Sequence, residues 1–184
     1  MRNQLFITWC MIFFLGSSCK ETNPRPTEAQ SPAMNTPANP APVEFADPKY
    51  IEPIKNALSA MTNGDLKGWM APFADNAVYI WNNGDSVAGK EAINQYWTKR
   101  RTETVDSITF TDQVHLPVKI NTPQSAEAPG IWVLTWYTVS VKYKPSGKKM
   151  IQWSHVDHHF NTHGQIDRII QYIDRAKVDE AIMK

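Results

Sequence analysis

The chain has 184 residues, with 19 basic and 18 acidic side chains and a formal net charge of +1 at pH 7. Proteins that bind nucleic acid neutralise phosphates with a basic face, and neither sign of charge forms a long run in this sequence. Composition and charge therefore exclude nucleic acid as the expected partner.

The N-terminus predicts export. Residues 1–18 contain one arginine and an apolar run from Leu5 to Leu15, which is shorter than the ~20 residues that span a bilayer and is typical of a secretory signal peptide. Small residues directly before Cys19 resemble the bacterial lipobox, so we expect lipidation of Cys19. The mature protein would then be anchored to a membrane of the bacterial cell envelope by this lipid alone; the alternative is ordinary secretion with Cys19 as a free thiol.

Residues 19–46 predict a disordered linker. The segment is dense in Pro, Ala, Asn and Thr and almost free of large apolar residues, so it cannot bury enough surface to offset its ordering entropy. Residues 47–184 then form one domain. Cys10 lies in the predicted signal peptide and Cys19 is alone, so we expect neither an intramolecular disulfide nor a cysteine metal site in the mature chain.

Helical spacing dominates the first half of this domain. Apolar residues three or four apart predict a helix over 50–61, and Asp65 is placed to cap a second, short helix over 66–70. A strand over 77–81 and a turn at 82–85 lead to a third helix over 87–101. The basic cluster at 99–101 is expected to be its solvated last turn, where cations complement the helix dipole.

The second half predicts strands. Segments 108–116, 130–144, 150–160 and 166–173 are rich in β-branched and aromatic residues, and a short helix over 176–183 closes the chain. The order predicts an α+β fold in which three N-terminal helices pack on one face of a curved, antiparallel or mixed sheet.

The order of short motifs resembles the nuclear transport factor 2-like superfamily, especially its SnoaL-like and ketosteroid-isomerase-like members. The resemblance covers residues 50–174 and rests on these positions: Gly64, Asp65, Phe73, Ala74, Asp75, Gly89, Ile93, Trp97, Phe160, Gly164 and Ile166. It implies a cone-shaped sheet that wraps the helices, with a pocket opening into the cone.

The stretch Trp153–Gly164 holds four of the five histidines. Side chains alternate along a strand, so Trp153, His155, Asp157 and His159 share one face, and His158 lies on the other. The outer histidines of the row are about 13 Å apart at the backbone, too far for a compact zinc site. We expect no native metal and place His158 at the surface or an interface.

The resemblance aligns Asp157 with a pocket-facing aspartate of ketosteroid isomerases. The isomerase tyrosine would fall near Ala57 and its base near Trp81, so steroid isomerisation is not expected. The remaining candidates for general acid/base catalysis are Asp157 with His155 or His159. The alternative is that these polar groups only bind a ligand or satisfy one another.

Aromatic and polar side chains predict the pocket wall. We place the Trp-bearing face of strand 131–143 toward the pocket, and its Val- and Tyr-rich face toward a second subunit in a homodimer. The predicted ligand-binding residues are Tyr79, Trp81, Trp97, Trp136, Trp153, Ile169, Gln171 and Ile173.

Two functions remain open at this point. In the first, the domain binds a small hydrophobic or aromatic molecule, because planar apolar ligands suit aromatic walls with a few polar anchors. In the second, it is a SnoaL-like isomerase, cyclase or hydro-lyase that uses Asp157 with His155 or His159 and needs no cofactor.

Overall fold

A computed structural model of the protein describes residues 39–124 and 128–183. The predicted signal peptide, the lipidation site Cys19 and most of the predicted linker lie outside these residues. No helix in the described part of the chain is long and apolar enough to cross a membrane.

Four α-helices form in the described residues: α1 (Ile51–Thr62), α2 (Leu66–Met70), α3 (Lys90–Lys99) and α4 (Arg175–Ile182). The predicted cap of α2 is present, because the Asp65 carboxylate accepts a hydrogen bond from the Gly68 N–H at 2.8 Å. A 3₁₀ turn (Pro48–Tyr50) precedes α1, and a π-helical turn (Arg100–Thr104) continues α3.

The same part of the chain contains seven strands in one sheet: β1 (Val43–Phe45), β2 (Phe73–Trp81), β3 (Ser86–Ala88), β4 (Val105–Ile120), β5 (Gly130–Tyr143), β6 (Lys149–Phe160) and β7 (Ile166–Tyr172). Their order is β1-β4-β5-β6-β7-β2-β3. Only β2 and β7 run parallel, so the sheet is mixed. The predicted α+β fold, with a curved sheet and three N-terminal helices, is confirmed.

Two short strands were missed. Residues of β1 fall within the predicted linker, but they pair with the end of β4, so the folded part begins before residue 47. Residues of β3 were predicted as the start of the third helix. The helix begins only at Lys90, because Gly89 has a φ of 93° and breaks the helical path.

The sheet has an inner face, which contacts the helices, and an outer face on the opposite side. Ile54 and Met61 of α1, Ile93 of α3, and Val133 and Val139 of β5 are almost fully buried between the helices and the inner face. A bulge in β4 lies between Thr111 and Val114. Bulges bend and twist a strand, which is how a sheet curves around helices.

Candidate ligand cavity

A cavity of about 130 Å³ lies between the inner face and the helices. An apolar cavity of ~150 Å³ is known to hold benzene, so this one has room for about one six-membered ring. Its wall is mainly aliphatic and aromatic. The lining includes Trp69, Tyr79, Trp81, Tyr96, Trp97, Arg100, Tyr137, Val139, Val156, His158, Ile169, Gln171, Ile173, Arg175 and Asp179.

Six of the eight predicted ligand-binding residues lie in this wall, namely Tyr79, Trp81, Trp97, Ile169, Gln171 and Ile173. They come from β2, α3, β7 and the residue after β7. Adjacent strands bring four of them together, because Tyr79 is paired with Ile169 and Trp81 with Gln171 across β2 and β7.

The predicted face of β5 is wrong. Tyr137 and Val139 line the cavity, whereas Trp136 lies on the outer face. Side chains alternate with a period of two, so a register error of one residue moves a whole set to the other face. The β-branched residues of the inner face suit a helix-covered surface, and this signal outweighs the presence of tryptophan on the other face.

The same exchange of faces occurs on β6. Trp153, His155, Asp157 and His159 share one face, as predicted, but that face is the outer one, away from the cavity. His158 was expected at the surface and instead lines the cavity, with 7% of its surface exposed. Met150, Val156 and Phe160 share its face and are apolar, but Gln152 and Ser154 on the same face are polar, so hydrophobic alternation along β6 does not single out the buried face.

Gln171 organises the polar part of the wall. Its side-chain oxygen accepts hydrogen bonds from the Tyr79 hydroxyl at 2.9 Å and from the Trp81 indole N–H at 3.1 Å. Tyr137 also forms a hydrogen bond with Gln171. Burial raises the pKa values of both Tyr79 and Tyr137, so both phenols stay neutral at physiological pH.

His158 presents an unused nitrogen to the cavity. Its Nδ1 is buried and has no hydrogen-bond partner, whereas the ring does bond to the Val133 backbone on the neighbouring strand. Burial in this apolar wall lowers the pKa of His158 to about 3, so the imidazole is neutral. With Nε2 bonded to the backbone, Nδ1 is left as an acceptor for a hydroxyl or N–H group.

Aromatic rings form the wall that faces these polar groups. The ring of Trp97 lies 5.3 Å from that of Trp69 and 6.1 Å from that of Tyr79, and both pairs meet edge to face. Such packing fixes the rings in place and adds stability beyond the area that they bury. The Trp97 Nε1 is nevertheless buried without a hydrogen-bond partner.

Three members of the lining that are not fully buried are charged. Arg100 follows the last residue of α3, and its guanidinium lies 5.8 Å from the ring centres of both Tyr96 and Trp97. Arg175 and Asp179, both from α4, also belong to the lining, so this short helix covers one side of the cavity. The cavity therefore combines an apolar interior with a charged rim.

A second cluster of titratable groups lies on the outer face. His155 Nε2 is 2.7 Å from a carboxylate oxygen of Asp157, although the geometry is not that of a hydrogen bond. The His155 ring is stacked between Trp136 and Tyr172 at 4.5 and 5.4 Å. Burial raises the pKa of Asp157, and the charge of His155 opposes this shift. His159 instead contacts Asp167 and the Pro129 carbonyl.

No three or more His, Cys, Asp or Glu side chains in residues 39–124 and 128–183 are arranged so that they could hold a metal ion. The histidines of β6 are divided between the two sheet faces, which separates His158 from His155 and His159.

The sequence profile described as "SnoaL-like domain" matches residues 54–169, which is more than half of the chain. A search of curated proteins gave no match.

Solved structures share the fold. A proposed polyketide cyclase from Xanthomonas campestris pv. campestris is 16% identical, with a TM-score of 0.59 over 73% of this chain and 97% of that chain. A proposed isomerase from Bacillus subtilis is 20% identical, with a TM-score of 0.56 over 72% and 91%. TerC, co-crystallised with polyporic acid, is 14% identical, with a TM-score of 0.55 over 72% and 97%.

Proposed function

The chain belongs to the SnoaL-like domain family, and from this premise we propose that it binds a small hydrophobic or aromatic molecule in the cavity. One observation carries the proposal. Five buried side-chain polar atoms of the described residues lack a hydrogen-bond partner, and three of these belong to cavity residues: Trp97, Arg100 and His158. Unpaired buried polar atoms cost free energy, and a ligand that pairs with them recovers it.

The same groups favour binding over acid/base catalysis. An efficient general base has a pKa near the working pH, and the pKa of His158 is about 3. The phenols of Tyr79 and Tyr137 have raised pKa values, so they stay protonated and do not supply a phenolate base. The one carboxylate of the described lining, Asp179, is solvent-exposed on α4. The buried wall thus holds anchors for a ligand but no strong base.

The relatives are consistent with a cavity for cyclic organic molecules. Proposed cyclases and isomerases are among the structures with this fold, and TerC was crystallised with polyporic acid. We draw from them the class of ligand, not an activity, because all of these chains are less than a quarter identical to this one.

Titration with 4-fluorophenol, followed by ¹⁹F NMR, tests the proposal. The probe has one ring and one hydroxyl, which suits a cavity of this size. We expect saturable binding that is lost in Val139→Phe and Val156→Phe, since each variant fills the cavity from a different strand. Thr138→Phe, on the outer face beside Val139, is the matched control and should bind as the unmodified protein does.

Thermal unfolding of each variant confirms that it is folded before binding is compared. Binding that survives in folded Val139→Phe and Val156→Phe would place the probe outside the cavity and overturn the proposal. A lack of any binding by the unmodified protein would do the same.

A second candidate function follows from the contact between His155 and Asp157. A carboxylate beside an imidazole can move protons, so an isomerase, cyclase or hydro-lyase that uses Asp157 with His155 or His159 would have to bind its substrate on the outer face. Asp157→Asn distinguishes the two functions, because it should leave 4-fluorophenol binding in the cavity intact. Weakened binding of the probe in this variant would show that the outer face contributes to the site.

We also propose that the chain is exported and anchored by a lipid on Cys19. The proposal rests on the N-terminal pattern alone, that is, an apolar segment followed by small residues and a cysteine. Metabolic labelling of bacteria with a clickable fatty acid should mark the protein, and Cys19→Ser should lose both the label and the membrane fraction. Equal labelling of Cys10→Ser serves as the control, and an unlabelled native protein would contradict the proposal.

A further inference from the structure

The Arg100 side chain is positively charged but forms no ion pair with an acidic side chain of the described residues. None of the six ion pairs in the described residues includes it. The Arg100 guanidinium instead contacts the rings of Tyr96 and Trp97 and forms a hydrogen bond with the Tyr143 hydroxyl, all neutral partners. Its Nε is buried and unpaired. A partly buried guanidinium with an unpaired N–H group gains most from a carboxylate, which accepts two parallel N–H groups.

The position of Arg100 is set by the backbone. It begins the π-helical turn that follows α3, and π-helical turns are frequent at functional sites. Lys99 and Arg101 flank it and can complement the dipole at the end of α3 as well as Arg100 can. The helix end therefore does not explain why Arg100, of these three cations, is the one that lines the cavity.

A second unpaired donor lies next to this cation. The Trp97 indole N–H is buried and has no partner, and the Arg100 guanidinium lies 5.8 Å from the Trp97 ring. Two unpaired N–H donors, one of them charged, thus belong to neighbouring side chains of the same wall. A carboxylate has enough acceptor positions to satisfy both.

The unpaired acceptor, His158 Nδ1, is separated from these donors by Tyr79. Tyr79 is paired with Ile169, which is paired with His158, so the backbones of Tyr79 and His158 are two strand spacings, about 10 Å, apart. On its other side, the Tyr79 ring lies 6.1 Å from the Trp97 ring. A one-ring molecule with a substituent at each end therefore suits the space between the donors and the acceptor.

We propose that the ligand is a small hydroxylated aromatic or alicyclic carboxylic acid. Its carboxylate accepts hydrogen bonds from Arg100 and Trp97, and its hydroxyl donates to His158 Nδ1. This inference rests on the proposed function, since it names the chemical class of molecule that the same cavity binds. Asp179, the anion of the rim, is more than 4 Å from the Arg100 guanidinium and exposed, so it does not occupy the carboxylate position.

Isothermal titration of the purified protein with three probes tests the carboxylate. 4-Hydroxybenzoate and 4-hydroxybenzamide have almost the same shape but differ in charge, and 4-fluorophenol lacks the group altogether. We expect the acid to bind at least about tenfold more tightly than the amide, the scale of a charge-assisted pair in a partly buried site. Arg100→Gln should remove this preference, so that the variant binds the acid and the amide with affinities within about twofold of each other.

Three further variants make the result specific to the proposed contacts with Arg100 and His158. Lys99→Gln removes the neighbouring exposed cation and should keep the full preference for the acid, which separates a local contact from a general loss of charge. Arg100→Lys keeps the charge but loses the planar fork, and should retain only part of the preference. His158→Phe should abolish the advantage of 4-hydroxybenzoate over benzoate without changing the dependence on Arg100.

The outcomes separate this inference from the function on which it rests. If none of the probes binds, the cavity-binding function and the inference both fail. If 4-fluorophenol binds and is blocked by Val139→Phe, but acid and amide bind equally, only the inference is overturned. An acid preference that persists in Arg100→Gln, with the variant shown by thermal unfolding to be folded, also overturns it.

Discussion

The side chain of His158 is buried in the apolar wall of the cavity. This burial lowers its pKa to about 3, against an ordinary value of 6.5. The positive charges of His115 and His155 act in the same direction, and the hydrogen bond to the Val133 backbone opposes them. An unfolded chain protonates this histidine more readily than the folded chain does. Folding stability therefore falls as the pH drops below 6.5.

We predict that His158 makes the fold sensitive to mild acid. Its stabilising contribution is complete above pH 6.5 and is lost progressively as the pH falls toward 3; by pH 5 the loss is about 2 kcal/mol. His158→Gln keeps a neutral polar side chain that does not titrate. Urea unfolding at pH 7.5, 6 and 5 should show a smaller decrease in the free energy of unfolding for this variant.

His163→Gln, in the exposed turn after β6, is the matched control for this measurement. Asp157 has a raised pKa, which contributes in the opposite direction, so the difference between His158→Gln and the unmodified protein is the quantity to compare. An identical pH dependence in the two proteins would show that His158 is solvated or charged in the fold.

The sequence predicts that side chains alternate between the two faces of a strand, but it did not predict which face of β5 or β6 meets the helices. Residues such as His155 and His158 were correctly assigned to opposite faces of β6. Which face meets the helices depends on the register with β5 and β7. Turn type and loop length fix that register, and the sequence did not give the bounds of the turns to one residue. Gln171 and Tyr79 lie in the cavity wall, as predicted, because the cavity-facing sides of their strands, β7 and β2, were assigned correctly.

At the scale of elements, helices and strands whose residues have strong local conformational preferences could be predicted from the sequence. Asp65 marks the start of α2, and the helical spacing of α1 and the β-branched residues of β5 give nearly the observed bounds. The elements that were missed have three to five residues. β1 and β3 depend on pairing with β4 and β2, and the π-helical turn depends on how α3 joins β4. Tertiary contacts, rather than propensity, stabilise such short segments.

The helix α4 has only eight residues and is too short to be stable alone. Asp174 holds its start, because its side chain accepts hydrogen bonds from the N–H groups of Ala176 and Lys177. The Asp174 N–H donates to the Gln152 side chain on β6, which ties the helix to the sheet. Val178 of α4 is buried against the cavity.

We predict that Asp174→Ala loosens α4 and speeds ligand exchange. Loss of an N-cap side chain costs about 1 kcal/mol, or roughly fivefold in local opening. Hydrogen–deuterium exchange of residues 175–182 should increase by about that factor, and 4-fluorophenol should dissociate faster.

Asp65→Ala is the control because it removes an equivalent cap from α2. It should increase exchange in residues 66–70 and leave α4 unchanged. Equal protection of α4 in Asp174→Ala and in the unmodified protein would show that packing, rather than the cap, holds this helix closed.

At the scale of the whole molecule, exposed apolar side chains are concentrated on the outer face. Of the seven exposed large hydrophobic residues in the described part of the chain, six lie on this face by strand register: Val43, Phe45, Val114, Ile151, Trp153 and Tyr172. Only Met183 lies elsewhere. Clustered apolar surface of this kind marks an interaction site, whereas scattered apolar residues do not.

We propose that a second copy of the chain covers the outer face, so that the homodimer forms through the Trp-bearing surface and not, as first predicted, through the Val- and Tyr-rich face of β5. Trp153→Lys should shift the mass measured by light scattering from dimer to monomer, because two-fold symmetry buries each mutated position in the same interface. Met183→Lys makes the same change at an equally exposed apolar residue away from the sheet and should leave the dimer intact. A monomeric mass for the unmodified protein at all concentrations, or a dimer unaffected by Trp153→Lys, would contradict this interface.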